Sequence, residues 1–529
     1  MKVPTPSAVL AARDDEDLQS LGYTSQLKRK LGQSATFAAG FALISVLVGT
    51  SVTYGIGWSS AGPAAVWLVL VVFFGQLMTT LVFAELAAKY PISGSIYQWA
   101  KRIGGDFLGW MTGWVYTVAW LIVAPTIALG LQATLTAFSP RFQLFGSDVV
   151  AATDPLYAAN AAFLSLFLFA VTTAVNVMKV SVLRLLSYIG VFAELAGVAL
   201  LLVVLMSHVR RGPSVLAHGI DVTAGGTQAV GGLLIAAFLP LYVLFGMDEA
   251  TSLAEETRDP RRNGPRAMLK ALGVAGGLCF LIVALVPMAI PDLTDPHVGD
   301  GLSYVVNLLA GPVVGTVFSL VVLICIVCAA TAAHALVARM IFSQARDGRY
   351  WASTKLSRVS HSGHTPIWAT LLVAVLWFAA LLINIAVPRV FSAIIGAGTF
   401  LIYLGYLAVS ALALRSRLRG DWSTQPGHFN LGRWGVYINA AAVLFGVLAC
   451  ANMMWPRAAF YGGEWWQRYA GMYVPVVVIG VGLIHYLAAG KRNRDVIPGS
   501  PTTSSQPTGP ADWAAASPGS GAIRFRRRD

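Results

Sequence analysis

Four carboxylates stand where carboxylates are costly. Glu85, Glu194, Asp248 and Glu249 lie inside long apolar stretches, while the other 20 of the 24 acidic residues fall in polar segments. A carboxylate held in hydrocarbon costs roughly 3 kcal/mol or more unless it is paired, protonated or turned to a water-filled cavity. The chemistry such groups do is binding a cation or carrying a proton. Two of the stretches also read as poor helices. Ile44–Gly55 carries Ser45, Gly49, Thr50, Ser51 and Thr53, and Phe238–Asp248 carries Pro240 and Gly246 beside Tyr242 and Phe245. Glycine, threonine and proline weaken a helix. A helix interrupted inside a membrane frees amides that suit an anion and carbonyls that suit an ammonium or metal cation. Paired interruptions, one in each half of a chain, are the sequence mark of a transporter's binding site. Tyr242 and Phe245 add ring faces on which a cation can rest.

Each feature has a plainer reading. Small residues four apart also serve close helix packing. Thr331, a candidate ion ligand with Glu194, has a hydroxyl that commonly bonds within its own helix. His334, one turn on, reads as a packed neutral histidine. Cys325 and Cys328 form a C-x-x-C pair with no further ligands nearby, so they read as small packing residues, and no metal or other cofactor is expected. The longest polar loops are only ~20–30 residues and hold no metal-spaced histidine cluster or nucleophile elbow, which argues against an enzyme.

The elements that hold these residues follow from composition. Of the 529 residues, 56% are AVILMFWYC and 12% are charged, against about 25% charged in a typical globular chain. So few charges cannot cover a soluble fold of this length. The expected class is an all-α integral membrane protein with the lipid bilayer as its solvent. A crossing needs ~20 apolar residues, and twelve stretches qualify, near 37–60, 64–88, 107–138, 156–176, 185–207, 229–254, 268–290, 312–340, 367–387, 389–414, 433–455 and 471–489.

Placing residue 1 in the cytoplasm puts 31 Lys and Arg inside and six outside, namely Arg141, Arg210, Arg211, Arg389, Arg457 and Arg468. That bias predicts twelve spans with both termini cytoplasmic. It also accounts for the net charge of +13 without a nucleic-acid partner. The apolar core of the first span begins too far along the chain for a cleaved signal peptide. Residues 1–36 are then a cytoplasmic leader. The Pro/Ser/Thr/Gly-rich tail within 490–529 is expected to be disordered.

Three loops carry a resemblance. Phe83-Ala84-Glu85-Leu86 with Lys89-Tyr90-Pro91-Ile92-Ser93-Gly94-Ser95-Ile96-Tyr97-Gln98-Trp99 follows span 2. Glu255-Glu256-Thr257-Arg258-Asp259-Pro260-Arg261-Arg262-Asn263-Gly264-Pro265 follows span 6. Arg339 with Ala345-Arg346-Asp347-Gly348 ends span 8. In order and in placement these resemble the amino acid–polyamine–organocation superfamily over roughly residues 20–490, and most closely its amino acid/choline transporter branch, which includes GABA, choline and amino-acid permeases.

The resemblance implies a five-plus-five inverted repeat over 37–414 with discontinuous helices 1 and 6, two further helices over 415–489, and alternating access around spans 1 and 6. It implies that Gly49, Thr50 and Ser51 meet a substrate carboxylate. The carbonyls near Ser45 and Phe245–Gly246 would meet an amino group. Tyr242 matches an aromatic that stacks over substrate in some members, and Asp248 an acidic position used in cationic amino-acid exchangers. The expected partners are thus a small amine or amino acid and a coupling proton or sodium ion. The chain departs from the family in two places. Span 1 offers Val48-Gly49-Thr50 in place of a Gly-Ser/Ala-Gly triplet, which leaves open a choline, GABA or polyamine substrate without an α-carboxylate. Span 5 has Glu194 where several proton-coupled relatives carry a lysine. A low-flux, transporter-like sensor is the remaining alternative.

Overall fold

The computed structural model describes residues 6–146, 155–178, 180–217, 226–360, 364–386, 390–423 and 428–489. The expected disordered tail, at 490–529, lies outside the described residues. Among those described there is no β-strand, and an isolated parallel bridge joins Leu31 to Thr257.

The described residues begin with a leader helix, α1 (Pro6–Ser20), followed by an irregular segment to Leu31. The first expected span is two helices, α2 (Gln33–Ile44) and α3 (Val46–Ala61). Next come α4 (Ala65–Lys89) and the short α5 (Ser95–Gly104). The third span is α6 (Asp106–Val123) and α7 (Thr126–Phe138), parted at Ala124–Pro125, where proline has no N–H for the helix ladder. Two unbroken helices follow, α8 (Pro155–Val177) and α9 (Val180–Ser207).

The sixth span is in three pieces, α10 (Gly226–Ala236), α11 (Phe238–Val243) and α12 (Glu249–Ser252). Then run α13 (Pro260–Ala289) and α14 (Leu302–Arg346), the latter kinked where Gly311 takes φ +81 ahead of Pro312. Short α15 (Ser353–Leu356) leads to α16 (Ile367–Ala386), α17 (Val390–Leu418) and α18 (Gly435–Met454). Two single-turn pieces, α19 (Ala458–Tyr461) and α20 (Trp465–Arg468), precede α21 (Ala470–Ala489).

Eight described helical stretches are long and apolar enough to cross a bilayer by length and composition, and shorter apolar helices lie at Val230–Val243 and Ile367–Ile383. One of the eight, Gln33–Lys89, has 57 residues. At about 1.5 Å per residue it is more than twice the thickness of a hydrocarbon core of ~30 Å. The turn at Gly62–Ala64 divides it between α3 and α4.

Burial sorts the side chains as a bilayer would. Trp99, Trp110, Trp120 and Trp377 are fully buried, whereas Phe167, Phe192 and Val313 are each at least 77% exposed. Phenylalanines that open on a helix face satisfy lipid, not water. The chain is a multi-pass, all-helical membrane protein. Its interior is organised around α14, which runs against α9, α2, α8 and α7, while α13 packs along α4 and α17 along α6.

Candidate site between the two helix interruptions

The first interruption falls at Ser45, four residues before the Gly49 singled out in the sequence. Ser45 takes φ 31, ψ 85, a left-handed conformation that costs a non-glycine residue about 1–2 kcal/mol. Its surroundings hold it there. The Ser45 hydroxyl donates to Glu194 Oε2 at 2.8 Å, and the Leu47 N–H donates to Glu194 Oε1 at 2.7 Å. Glu194, on α9 and 2% exposed, thus caps the N-terminus of α3, where a negative charge meets unpaired amides and the positive helix end. Gly49 lies within α3, its N–H donating to Ser45 O. A Cβ there would sit 3.1 Å from Val243 Cγ2, so its small size lets α3 close on α11.

Thr50 donates to Val46 O at 2.5 Å, and Ser51 Oγ is buried without a hydrogen-bond partner.

The second interruption spans Leu244–Asp248, with Gly246 at φ +87. Groups freed by the break are taken up by aromatic residues of α17. Tyr403 donates to Leu241 O at 3.0 Å; Tyr406 accepts the Gly246 N–H at 2.9 Å and donates to Asp248 Oδ1 at 2.8 Å. Tyr116 of α6 donates to the same carboxylate at 2.7 Å, and Ser95 lies 3.4 Å from Oδ2. Asp248 is fully buried; three hydroxyls supply the hydrogen bonds that make its burial tolerable. Its neighbour Glu249 accepts from Ser252 and keeps one buried oxygen without a partner.

The interruptions face each other. A Cβ on Gly246 would lie 3.3 Å from Leu43 at the end of α2. Aromatics line the contact: Phe245 meets Tyr242 edge-on at 5.2 Å and Trp120 at 5.4 Å, both favoured geometries. Tyr242 donates to Thr126 at 2.9 Å, since the Thr126 hydroxyl is itself directed to Val123 O. The structure therefore brings Ser45, Gly49, Tyr242, Phe245, Gly246 and Asp248 around one junction. Thr331 stands apart from that set, its hydroxyl donating to Val327 O at 2.7 Å. His334 donates from Nε2 to Thr370 O at 2.9 Å and has the Thr172 hydroxyl 3.1 Å from Nδ1, so both ring nitrogens are engaged within the core.

Sequence reasoning did not single out Tyr116, Trp120, Tyr403 and Tyr406. Their signal was present as aromatic pairs at i, i+4 and i, i+3 inside apolar spans. It also missed the partner of Glu85, which is paired with Arg417 and accepts from Trp422 Nε1 at 3.0 Å.

A ring of buried ion pairs lies on the face that holds the leader and the basic loops. Arg346 forks onto Glu255 at 2.8 and 3.0 Å, and Arg339 reaches Glu256 at 3.0 Å. Asp347 accepts from Lys101 at 2.7 Å and Tyr97 at 2.6 Å. The leader is bound into this ring: Arg261 holds Asp17 at 2.7 Å, and the amides of Lys30 and Leu31 both donate to Glu256 O at 2.9 Å.

Tyr97, Glu255, Glu256, Arg261, Arg339, Arg346 and Asp347 of this ring belong to the loop motifs quoted from the sequence, and comparison with known proteins agrees with them. Residues 31–481 match the profile described as amino acid permease. The amino-acid permease BAT1 of Arabidopsis thaliana is 27% identical over 88% of this chain and 92% of its own length. A probable GABA permease of Pseudomonas aeruginosa is 25% identical over 78% and 84%, and the branched-chain amino acid permease BcaP of Bacillus subtilis is 26% identical over 74% and 82%. With interrupted helices meeting at one junction and a profile match that spans most of its length, the chain belongs to the amino acid permease family of the amino acid–polyamine–organocation superfamily.

Proposed function

We propose that this protein is a secondary active transporter that moves an amino acid or related small amine across the plasma membrane by alternating access. The observation that carries the reading is the meeting of the two interruptions, Leu43 against Gly246 and Gly49 against Val243. Two broken helices in contact form a hinge with the ends of their backbone dipoles beside it, which is what a midplane site needs. The names of the relatives support an amino acid or amine as cargo.

In this reading twelve helices cross the membrane with both ends cytoplasmic. Residues 37–414 form the five-plus-five inverted repeat, residues 415–489 the last two helices, and 1–36 and 490–529 the leader and tail. Tyr242 and Phe245 cover the ligand's cationic nitrogen, and the backbone near Ser45, Thr50, Ser51 and Gly246 supplies dipoles to it. Asp248 fixes the second break through Tyr116 and Tyr406 and sets a negative potential at the junction. A proton or sodium gradient drives the cycle, with Glu194 and Thr331 as coupling candidates, and the buried ion-pair ring is the gate that parts when the cytoplasmic side opens.

The test is counterflow. Purified protein in liposomes preloaded with unlabelled alanine, arginine, GABA, choline or putrescine is offered the labelled compound outside. Saturable transient accumulation is expected for at least one of them, with loss in Asp248→Asn at normal protein levels. Binding without flux would instead mark a sensor, and normal transport by Asp248→Asn would remove Asp248 from the site.

A further inference from the structure

The N-terminus of α3 is the part of the junction best suited to a ligand's carboxylate, and it is already filled. Glu194 puts one oxygen on the Leu47 N–H at 2.7 Å and the other on the Ser45 hydroxyl at 2.8 Å. Both oxygens and the Leu47 amide are therefore engaged, on a glutamate that is 2% exposed to solvent.

The glutamate is held there by its own helix. One turn further on, a Cβ at Gly197 would lie 2.6 Å from Leu47 Cδ1 and 2.7 Å from Val321 Cγ1. Glycine at that position lets α9 press directly onto α3 and α14, so Glu194 has little room to swing aside. An incoming carboxylate would have to displace it, leaving one buried anion stripped of donors beside another.

The charge around the junction points the same way. The buried guanidiniums Arg346 and Arg339 are matched by Glu255 and Glu256. Asp248 takes its hydrogen bonds from Tyr116, Tyr406 and Ser95, and Glu249 takes its own from Ser252. Three carboxylates thus approach the two breaks with hydroxyls and one backbone amide as their bonded partners. Such a site favours a cation and disfavours an anion.

We propose that Glu194 is the resident anion of the first interruption, and that the ligand is an amine recognised through its cationic nitrogen, with no carboxylate on the adjacent carbon. This inference rests on the transporter reading above and narrows its substrate class.

Matched pairs that differ only by the α-carboxylate test it: putrescine against ornithine, cadaverine against lysine, ethanolamine against serine, and GABA against glutamate. Binding to the purified full-length protein is measured by ligand-dependent thermal stabilisation. In the pair that binds most tightly, the member without the α-carboxylate is expected to bind roughly tenfold tighter or more, the discrimination expected when a buried charge would lose its partners. Glu194→Ala, which vacates the Leu47 amide and the Ser45 hydroxyl, is expected to shrink that ratio several-fold, and Glu194→Gln to shrink it less.

Tighter binding of the α-amino acid by the wild type overturns the proposal and leaves the transporter reading intact. A ratio unchanged in both variants, with each protein monodisperse, overturns it as well. If neither variant folds, the wild-type ratio decides alone. If no probe of any pair binds or is exchanged, the transporter reading fails and takes this inference with it.

Discussion

Tyr23 of the leader donates its hydroxyl to Asp347 at 2.9 Å, a contact between residues 324 positions apart. Tyr23 is 1% exposed, and the Arg346 guanidinium lies 4.1 Å from the centre of its ring. Lys101 and Tyr97 hold the other oxygen of Asp347. The leader, α5, the end of α14 and the loop after α12 therefore close one face together, and opening that face requires these contacts to part.

Tyr23→Phe keeps the ring under Arg346 and removes the hydroxyl. A single hydrogen bond to a charged group contributes about 1.5–3 kcal/mol. Amide exchange in residues 6–31 is expected to speed up by roughly ten- to a hundredfold. Unchanged protection would mean that the leader is held by packing alone.

Arg346→Ala leaves Glu255 buried without its forked partner. Breaking a buried pair from one side costs about 3–5 kcal/mol. A lowered thermal midpoint is expected, with part of the loss recovered in Arg346→Ala combined with Glu255→Ala. Additive losses in the double variant would show that the two residues do not act as a pair.

Gly246→Ala tests the second interruption. At φ +87, with Leu43 only 3.3 Å from a new Cβ, the substitution is expected to cost about 1–2 kcal/mol in backbone strain and to depress uptake strongly. Gly273→Ala, on α13 with open space around its Cβ, is the control and is expected to be neutral or mildly stabilising. Equal uptake by the two variants would argue against a required left-handed residue at 246.

Asp14 bears on pH. Burial holds its carboxyl above the ordinary aspartate range, against the opposing pull of the Asp259 N–H and Arg29. A carboxyl with a raised folded-state pKa favours the docked leader most when protonated. Docking then weakens as pH rises from the ordinary value through the raised one, and is level above that. At neutral pH, Asp14→Asn is expected to slow proteolytic cleavage of the leader, since asparagine still accepts from Asp259 without burying a charge. Faster cleavage would mean that attraction to Arg29 outweighs burial.

Much of the fold was legible because it follows from period and composition. Apolar stretches of crossing length became helices, and low helix propensity marked both interruptions, with a mid-span carboxylate beside the second. Position within the interruption was less legible. Gly49 was the natural suspect on backbone grounds, yet the chain breaks at Ser45, because a glutamate 149 residues away caps the next helix. The Glu85 to Arg417 pair and the three hydroxyls on Asp248 were hidden for the same reason. Spacing along one helix shows which residues share a face, but not which distant helix will meet that face.

The account centres on two interrupted helices that open one chamber to alternate sides. A variant lacking the native cysteines, with a single cysteine at Val52 on α3 or at Ala254 beyond α12, allows each side to be probed with a membrane-impermeant maleimide during ligand-driven counterflow. The account predicts that saturating ligand changes the two labelling rates in opposite directions. Rates that rise or fall together, or stay fixed while counterflow proceeds, would contradict it.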